Sequence, residues 1–303
     1  MSEILKVSVI TICHNRVHSI QATIESVLSQ DYSNIEYIVI DGGSTDGTVE
    51  KIEKYKNDLS VFVSEADNGM YSALNKGLKL ATGDIVGILH SDDVYYESST
   101  IRKVVEKFKR SAADLVYANG VYITCSSESF APHSKSKKKT EDVTVNDYFI
   151  SRIYKAKPFK KNYLNFGWIP LHTTIYVRRE IFEKYGYYDE CYSIASDYEI
   201  SLRWFMNDAI RKEFMNEWVV KMSLGGKSTT ASLQKKKSME DFQIIQKYNL
   251  WGYFTLICKI MLKIPQYLLP QVLRIKDTAR LERGFKKRIM IKKRRVNKMK
   301  INH

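Results

Sequence analysis

Four short apolar runs, each ending in a polar or glycine-rich turn and followed by an amphipathic stretch, restrict what the first half of this chain can fold into. VSVITIC (7–13) is β-branched and apolar throughout, the pattern of a strand buried on both faces. A helix follows with Ile20, Ile24, Val27 and Leu28 on one face. IEYIVID then leads into GGSTDG, and Thr48 opens a helix carrying Val49, Ile52 and Tyr55. VFVSEADNG is a third strand and loop, with a helix over 73–80. DIVGILHSDD is a fourth, with a helix over 100–108, and ADLVYANGVYI is a further strand or hairpin. Strand–helix repetition at this spacing predicts an α/β fold: a mostly parallel, Rossmann-like sheet with helices on both faces. Such a sheet binds ligands beyond the carboxyl ends of its strands. Here those ends carry His14-Asn15-Arg16, Asp41-Gly42-Gly43-Ser44, Glu65-Ala66-Asp67-Asn68 and His90-Ser91-Asp92-Asp93, which a parallel sheet brings to one edge.

Each cluster has its own chemistry and its own plain reading. No GxGxxG follows the first strand, so a dinucleotide cradle is not expected. Asp41, beside two glycines that permit close backbone approach, suits a base N–H or a ribose hydroxyl. Asp46 before Gly47-Thr48 reads as a turn and cap residue. Lys76 offers a point charge to a phosphate, although a solvated lysine is the commoner case. Asp92 and Asp93 suit Mg²⁺ or Mn²⁺, or simply a turn. Asp197, in ASDYEISLR, sits where a helix begins with Ser196 as N-cap; the alternative to a structural acid there is a general base.

The second half is less regular. Residues 126–147 are rich in serine and lysine and read as a surface loop. HTTIYVRR reads as a strand, with a helix from Glu180, and LGGKSTT closes the compact part near residue 230. Four well-separated cysteines with no CxxC pair exclude a zinc ribbon or redox dithiol and fit a reducing compartment. The N-terminus runs straight from MSEILK into VSVITI, so no export signal is expected.

The net charge of +14 is concentrated at the C-terminus. Between Arg274 and Lys300 there are 13 Lys/Arg against Asp277 and Glu282, leaving about +3 for the first 273 residues. Before that tail, the apolar stretch 244–269 is crossed by one stripe of Gly252, Thr255, Lys259, Lys263 and Gln266, spaced by three or four. Two lysines and Pro265 make a membrane span a poor fit, and a helix lying in the membrane interface, with its tail on anionic headgroups, a better one. A helix packed on the catalytic domain is the alternative.

Taken in order, VSVITICHNR, IEYIVIDGGSTDGT, SEADNGMYSALNKG, ATGDIVGILHSDD and ASDYEISLR resemble the inverting family 2 glycosyltransferases of GT-A fold, over about residues 5–230. The resemblance implies a catalytic domain at 1–233 and a helical, basic extension at 234–303. It implies a UDP-sugar donor held by Thr11, Asn15, Arg16, Asp41, Asp67, Lys76, Ser91 and Asp92, and Asp197 as catalytic base. It implies Mn²⁺ or Mg²⁺ at Asp92, with His90 occupying a position where the family commonly has Asp or Asn. His172, Gly226 and Ser228 fall on the acceptor or closing-loop side of a subgroup that assembles bacterial surface polysaccharides. The implied product is a hexose or N-acetylhexosamine added to a saccharide acceptor, lipid-linked through polyprenyl diphosphate, on the cytoplasmic face of the cell membrane. Two rival readings are a nucleotidyltransferase, which shares the metal and nucleotide logic, and nucleic-acid binding through the basic tail. The acidic strand ends argue against a nucleic-acid partner.

Overall fold

The structure, a computed structural model, describes residues 4–125, 148–223 and 231–273. Strands β1 (Val7–Cys13), β2 (Ile35–Asp41), β3 (Val61–Ser64) and β4 (Ile85–Ile88) run parallel in the order β3-β2-β1-β4. Crossovers by α1 (Ile20–Leu28), α2 (Thr48–Glu53) and α3 (Met70–Leu80) impose that direction. β1 is buried along its whole length because helices cover both faces. Val7, Val9 and Cys13 enter one core cluster, and Ile10 and Ile12 enter the other. On α1 the buried residues are Ile20, Thr23, Ile24 and Val27; Leu28 is 39 % exposed and does not share the face expected for it.

Beyond β4 the sheet is mixed. β5 (Asp93–Tyr95) lies at the far edge, followed by α4 (Thr100–Ser111) and β6 (Leu115–Cys125), a single long strand. β7 (Tyr148–Tyr154) pairs with β6. A 3₁₀ segment at Lys161–Phe166 and another at His172–Thr174 precede β8 (Ile175–Arg178), so only the second half of HTTIYVRR is strand. β8 runs against both neighbours, β4 and β6. α5 (Arg179–Tyr185), α6 (Ser196–Met206) and β9 (Lys212–Ser223) follow, with β9 parallel to β6.

Three C-terminal helices complete the described chain: α7 (Ala231–Lys247), α8 (Gly252–Met261) and α9 (Ile264–Leu273). Ile244 and Ile245 of α7 are fully buried in the same cluster as Leu202, Trp204 and Phe205 of α6. α8 docks on the 161–166 segment: Thr255 donates to the Asn165 carbonyl at 2.8 Å. Gly167 there has φ +70°, and a Cβ on it would lie 2.6 Å from the Lys259 backbone nitrogen. Both the left-handed backbone and the close approach require glycine. Residues 126–147, 224–230 and 274–303, and with them Gly226, Ser228 and the basic tail, lie outside the described residues.

Candidate active site

The four polar strand ends meet along one edge, because Cys13 is in register with Asp41 and Asp41 with Ser64. Their loops are laced together. Asn15, at φ +52°, donates its backbone N–H to Ser44 Oγ at 2.7 Å and accepts from Thr45 N at 3.0 Å. Asp46 accepts from Val17 N at 3.1 Å and from Thr48 N at 3.0 Å, the turn role its sequence context suggests. Asp41 is fully buried and accepts from Gly43 N (3.1 Å), Ser44 N (2.9 Å), Ser64 Oγ (2.7 Å), the Ser44 hydroxyl and the Cys13 thiol. Burial alone would raise its pKa; these donors, Ser44 foremost, outweigh it and hold the carboxyl below its ordinary range. Asp41 therefore shapes the loop from within.

Thr11 is likewise enclosed, its hydroxyl accepting from Tyr37 at 3.1 Å on the helix-covered face of β1. Lys76 is paired with Asp67 (2.5 Å) and Glu65 (2.7 Å). That leaves Asp67 Oδ2 buried with no hydrogen-bond partner, next to Gly42, where a Cβ would approach it to 3.4 Å. A buried acceptor beside an open glycine backbone suits an N–H or O–H of a ligand.

At the end of β4, His90, Ser91, Asp92 and Asp93 form a turn closed by Asp93 N donating to the His90 carbonyl at 3.0 Å. Turn and site are the same object here. Ser91 is buried and Asp92 half-buried. Asp93 turns inward at 2 % exposure, and burial, aided by the Asp92 charge, pushes its pKa well up. The two carboxylates thus differ in kind: Asp92 faces the cleft and Asp93 belongs to the interior. Burial lowers the pKa of His90, while Asp92 and Asp197 pull it upward and Arg16 adds to the lowering. No cluster of three His, Cys, Asp or Glu side chains able to hold a metal exists among the described residues. Asp92 with His90 fits a divalent ion only when ligand oxygens complete the shell, as hard cations commonly accept.

Asp197 stands in the first turn of α6, half-buried. Its Oδ1 accepts from Tyr198 N at 2.8 Å and from the Tyr71 hydroxyl at 3.3 Å. Burial would raise its pKa, but Lys237, His172 and Lys259 together hold it below the ordinary carboxylate range. His172 stacks on His90 (centroids 6.4 Å apart) and bonds Tyr188 Oη through Nε2 at 2.5 Å. Burial takes its pKa down to about 4, so the ring is neutral near pH 7. Tyr71 stacks on Tyr188 at 5.6 Å. Asp197, His172, His90 and Asp92 therefore share one cleft.

Ser196 is not the helix cap expected of it: Ala195 holds that position, and Ser196 Oγ is buried without a partner. The capping group is Glu240 of α7. One oxygen accepts from Ser193 N (3.1 Å) and Ser193 Oγ (2.9 Å), the other from Ile194 N and Ala195 N (both 2.9 Å). Glu240, Tyr71, Tyr188 and the lysines around Asp197 escape sequence reading because no motif marks them. Only the polar stripe of α8 signals Lys259.

Residues 8–186 match the profile of Glycosyl transferase family 2, and the chain belongs to that family. It is 27% identical over 214 residues, 69% of this chain and 73% of the relative, to a PGL/p-HBAD biosynthesis glycosyltransferase of Mycobacterium bovis. It is also 27% identical over 259 residues, 83% of this chain and 75% of the relative, to an uncharacterized glycosyltransferase of Haemophilus influenzae. Among solved structures, S. aureus TarS 1–349 in complex with UDP-GlcNAc superposes with TM-score 0.57 at 20% identity, covering 80% of this chain and 66% of that one. The mannosyltransferase PcManGT of Pyrobaculum calidifontis, in complex with GDP-Man and Mn²⁺, gives 0.56 at 18%, covering 81% and 64%. This chain thus spans about two thirds of each of those structures, and the likeness establishes the GT-A-like fold.

Proposed function

We propose that this enzyme transfers a hexose or N-acetylhexosamine from a UDP-sugar to a saccharide acceptor, with inversion, in bacterial surface-polysaccharide assembly at a membrane. The observation that carries the reading is Asp197: a carboxylate kept ionised, fixed by Tyr71 and its own helix, in the cleft that also holds Asp92. UDP-GlcNAc bound to TarS and the PGL/p-HBAD biosynthesis named for the mycobacterial relative support a nucleotide-sugar donor and a surface-glycan product. In this reading Asn15, Arg16, Asp67 and Ser91 line the donor side, Thr11, Asp41 and Lys76 support it from behind, and His172 borders the acceptor, the side to which the sequence also assigns Gly226 and Ser228.

Asp197 takes the proton of the acceptor hydroxyl as that oxygen bonds to the anomeric carbon and the bond to the UDP oxygen breaks. His172 keeps its Nε2 engaged with the Tyr188 hydroxyl at 2.5 Å. Arg16, close enough to His90 to depress its pKa, lies on the side where the diphosphate gathers charge. A divalent ion held by Asp92 with His90 supplies, when bound, further positive charge to that diphosphate. Dialysis against EDTA that left UDP-sugar hydrolysis at full rate would remove the ion from this scheme.

Asp197→Asn keeps the shape and the Tyr71 contact but cannot take the proton. Transfer should fall by about 10²–10⁴-fold, the usual weight of a general base, with UDP affinity within about twofold. Transfer at the wild-type rate rules Asp197 out as the base.

We also propose that the extension places the enzyme peripherally on the cytoplasmic face of the membrane. Within the expected division at 233 to 234, α7 serves the catalytic domain through Glu240, Ile244 and Ile245. The stripe of α8 and α9 faces inward: Thr255 is fully buried, Lys259 pairs with Asp241 at 2.8 Å, and Gln266 accepts from Arg152 at 2.6 Å. The apolar side faces out, with Tyr253, Phe254, Ile257, Ile260, Met261 and Leu268 all about half exposed or more. A water-soluble surface helix has the opposite polarity, whereas a helix lying on lipid has this one. No helix among the described residues is long and apolar enough to cross a membrane.

A further inference from the structure

Several features outside the donor cleft invite a role. The surface cavity lined by Asp114, Glu180 and Lys184 is open to solvent, and its Asp114 is already paired with Arg211. The buried Glu36, with Lys6, Ser8 and Thr82, is fully satisfied at the amino end of the sheet. A third feature is different: four cations drawn from β7 and the C-terminal helices converge beside Asp197.

Lys259 Nζ sits over the ring of Tyr198, 3.1 Å from the centroid, one residue from Asp197. Its ion pair with Asp241 at 2.8 Å fixes α8 against α7. Lys237 precedes Asp241 by four residues on α7 and shares its row, and Lys263 lies in the turn between α8 and α9. Both are half-buried. Arg152 reaches in from β7, with Nε and Nη2 on Gln266 Oε1 at 2.8 and 2.6 Å and its plane between Tyr122 and Tyr267. Among the described residues only Lys259 has a carboxylate partner; Lys237, Lys263 and Arg152 make no ion pair. Asp241 and Asp197 offset part of this positive charge, and what remains favours a further anion. Burial pushes Lys259 down to about 8 against the pull of Asp241, and Lys263 is lowered by burial and then by Lys237 and Arg152.

We propose that Lys237, Lys259, Lys263 and Arg152 form a binding site for a phosphate or diphosphate group carried by the acceptor. The proposal rests on the glycosyl-transfer reading, which it deepens by naming the acceptor's chemical class. The donor diphosphate has its own place at the β4 edge, with Arg16 and Asp92. The cationic site is built from elements that pack instead on β7, on the 161–166 segment and on α6. Its inner wall is the inward face of α8, whose outward face is apolar. A prenyl chain attached to the phosphate therefore leaves along the exposed side of the helix that holds its head.

The test uses the full chain saturated with UDP and titrated calorimetrically with farnesyl diphosphate. Farnesyl diphosphate should bind without displacing UDP. Lys237→Met with Lys263→Met should weaken it at least tenfold while UDP affinity shifts less than twofold, and Lys263→Arg should restore part of the loss. Inorganic pyrophosphate occupying the same site, more weakly, supports the proposal. It is overturned by displacement of UDP, by absence of farnesyl diphosphate binding to the wild type, or by equal binding to the double variant. Failure of UDP binding and of UDP-sugar hydrolysis in the same preparation counts instead against the donor reading, and farnesyl diphosphate titrated without UDP still judges the site.

Discussion

Glu240 gathers three backbone N–H groups and a hydroxyl from residues 193–195, directly ahead of Asp197, the proposed base. It touches no reacting atom in the proposed mechanism, so its effect passes through the loop it holds. Glu240→Gln keeps one oxygen but turns an NH₂ group on N–H donors, at a cost of about 1–3 kcal/mol for the buried groups left unpaired. The variant should unfold at lower temperature and lose kcat, while UDP binding stays unchanged. A variant that loses UDP affinity and kcat together would mean the loop serves the donor instead. Nothing in the sequence around Glu240 announces this, because the residues it caps are 45 to 47 positions away. Asp41 teaches the converse: its place at a strand end was legible, but five donors from its own surroundings became visible only in three dimensions.

At the level of elements, strands β1 to β4 and their convergent ends were readable because apolar runs buried on both faces leave an unbroken pattern. The reversal of β8 was not, since residue alternation carries no information about direction. The stripe on α8 was readable as a stripe, and its spacing left open which side would face the protein. Packing decided it, through Thr255, Lys259 and the bare backbone of Gly167. Gly167→Ala should cost about 1–2 kcal/mol for the left-handed backbone alone, with the 2.6 Å approach to Lys259 added to that. Thermal unfolding should shift down, and protease should cut first near α8. An unchanged melting temperature would show that α8 contributes nothing to the fold.

At the scale of the whole molecule, the outward apolar side of α8 and the basic run beyond Arg274 make one prediction together. Full-length protein should float with liposomes containing anionic lipid, and Ile257→Glu with Ile260→Glu should abolish flotation. Both side chains are more than half exposed, so thermal stability should stay within about 0.5 kcal/mol of wild type. Equal flotation of the double variant rejects α8 as the contact.

Lying flat on a membrane, α8 becomes a spacer of fixed thickness. In the proposed orientation one face meets lipid and the other carries Lys259, whose Nζ lies over the ring of the residue after Asp197. A helix with its side chains is about 10–12 Å across and sinks its apolar face about 5–10 Å into the interface, so in the proposed arrangement Asp197 is held close to the headgroup level. A sugar close to its lipid anchor reaches that height, and the far end of a long glycan overshoots it. The enzyme would then measure acceptor length, favouring early additions near the membrane over extension of a finished chain.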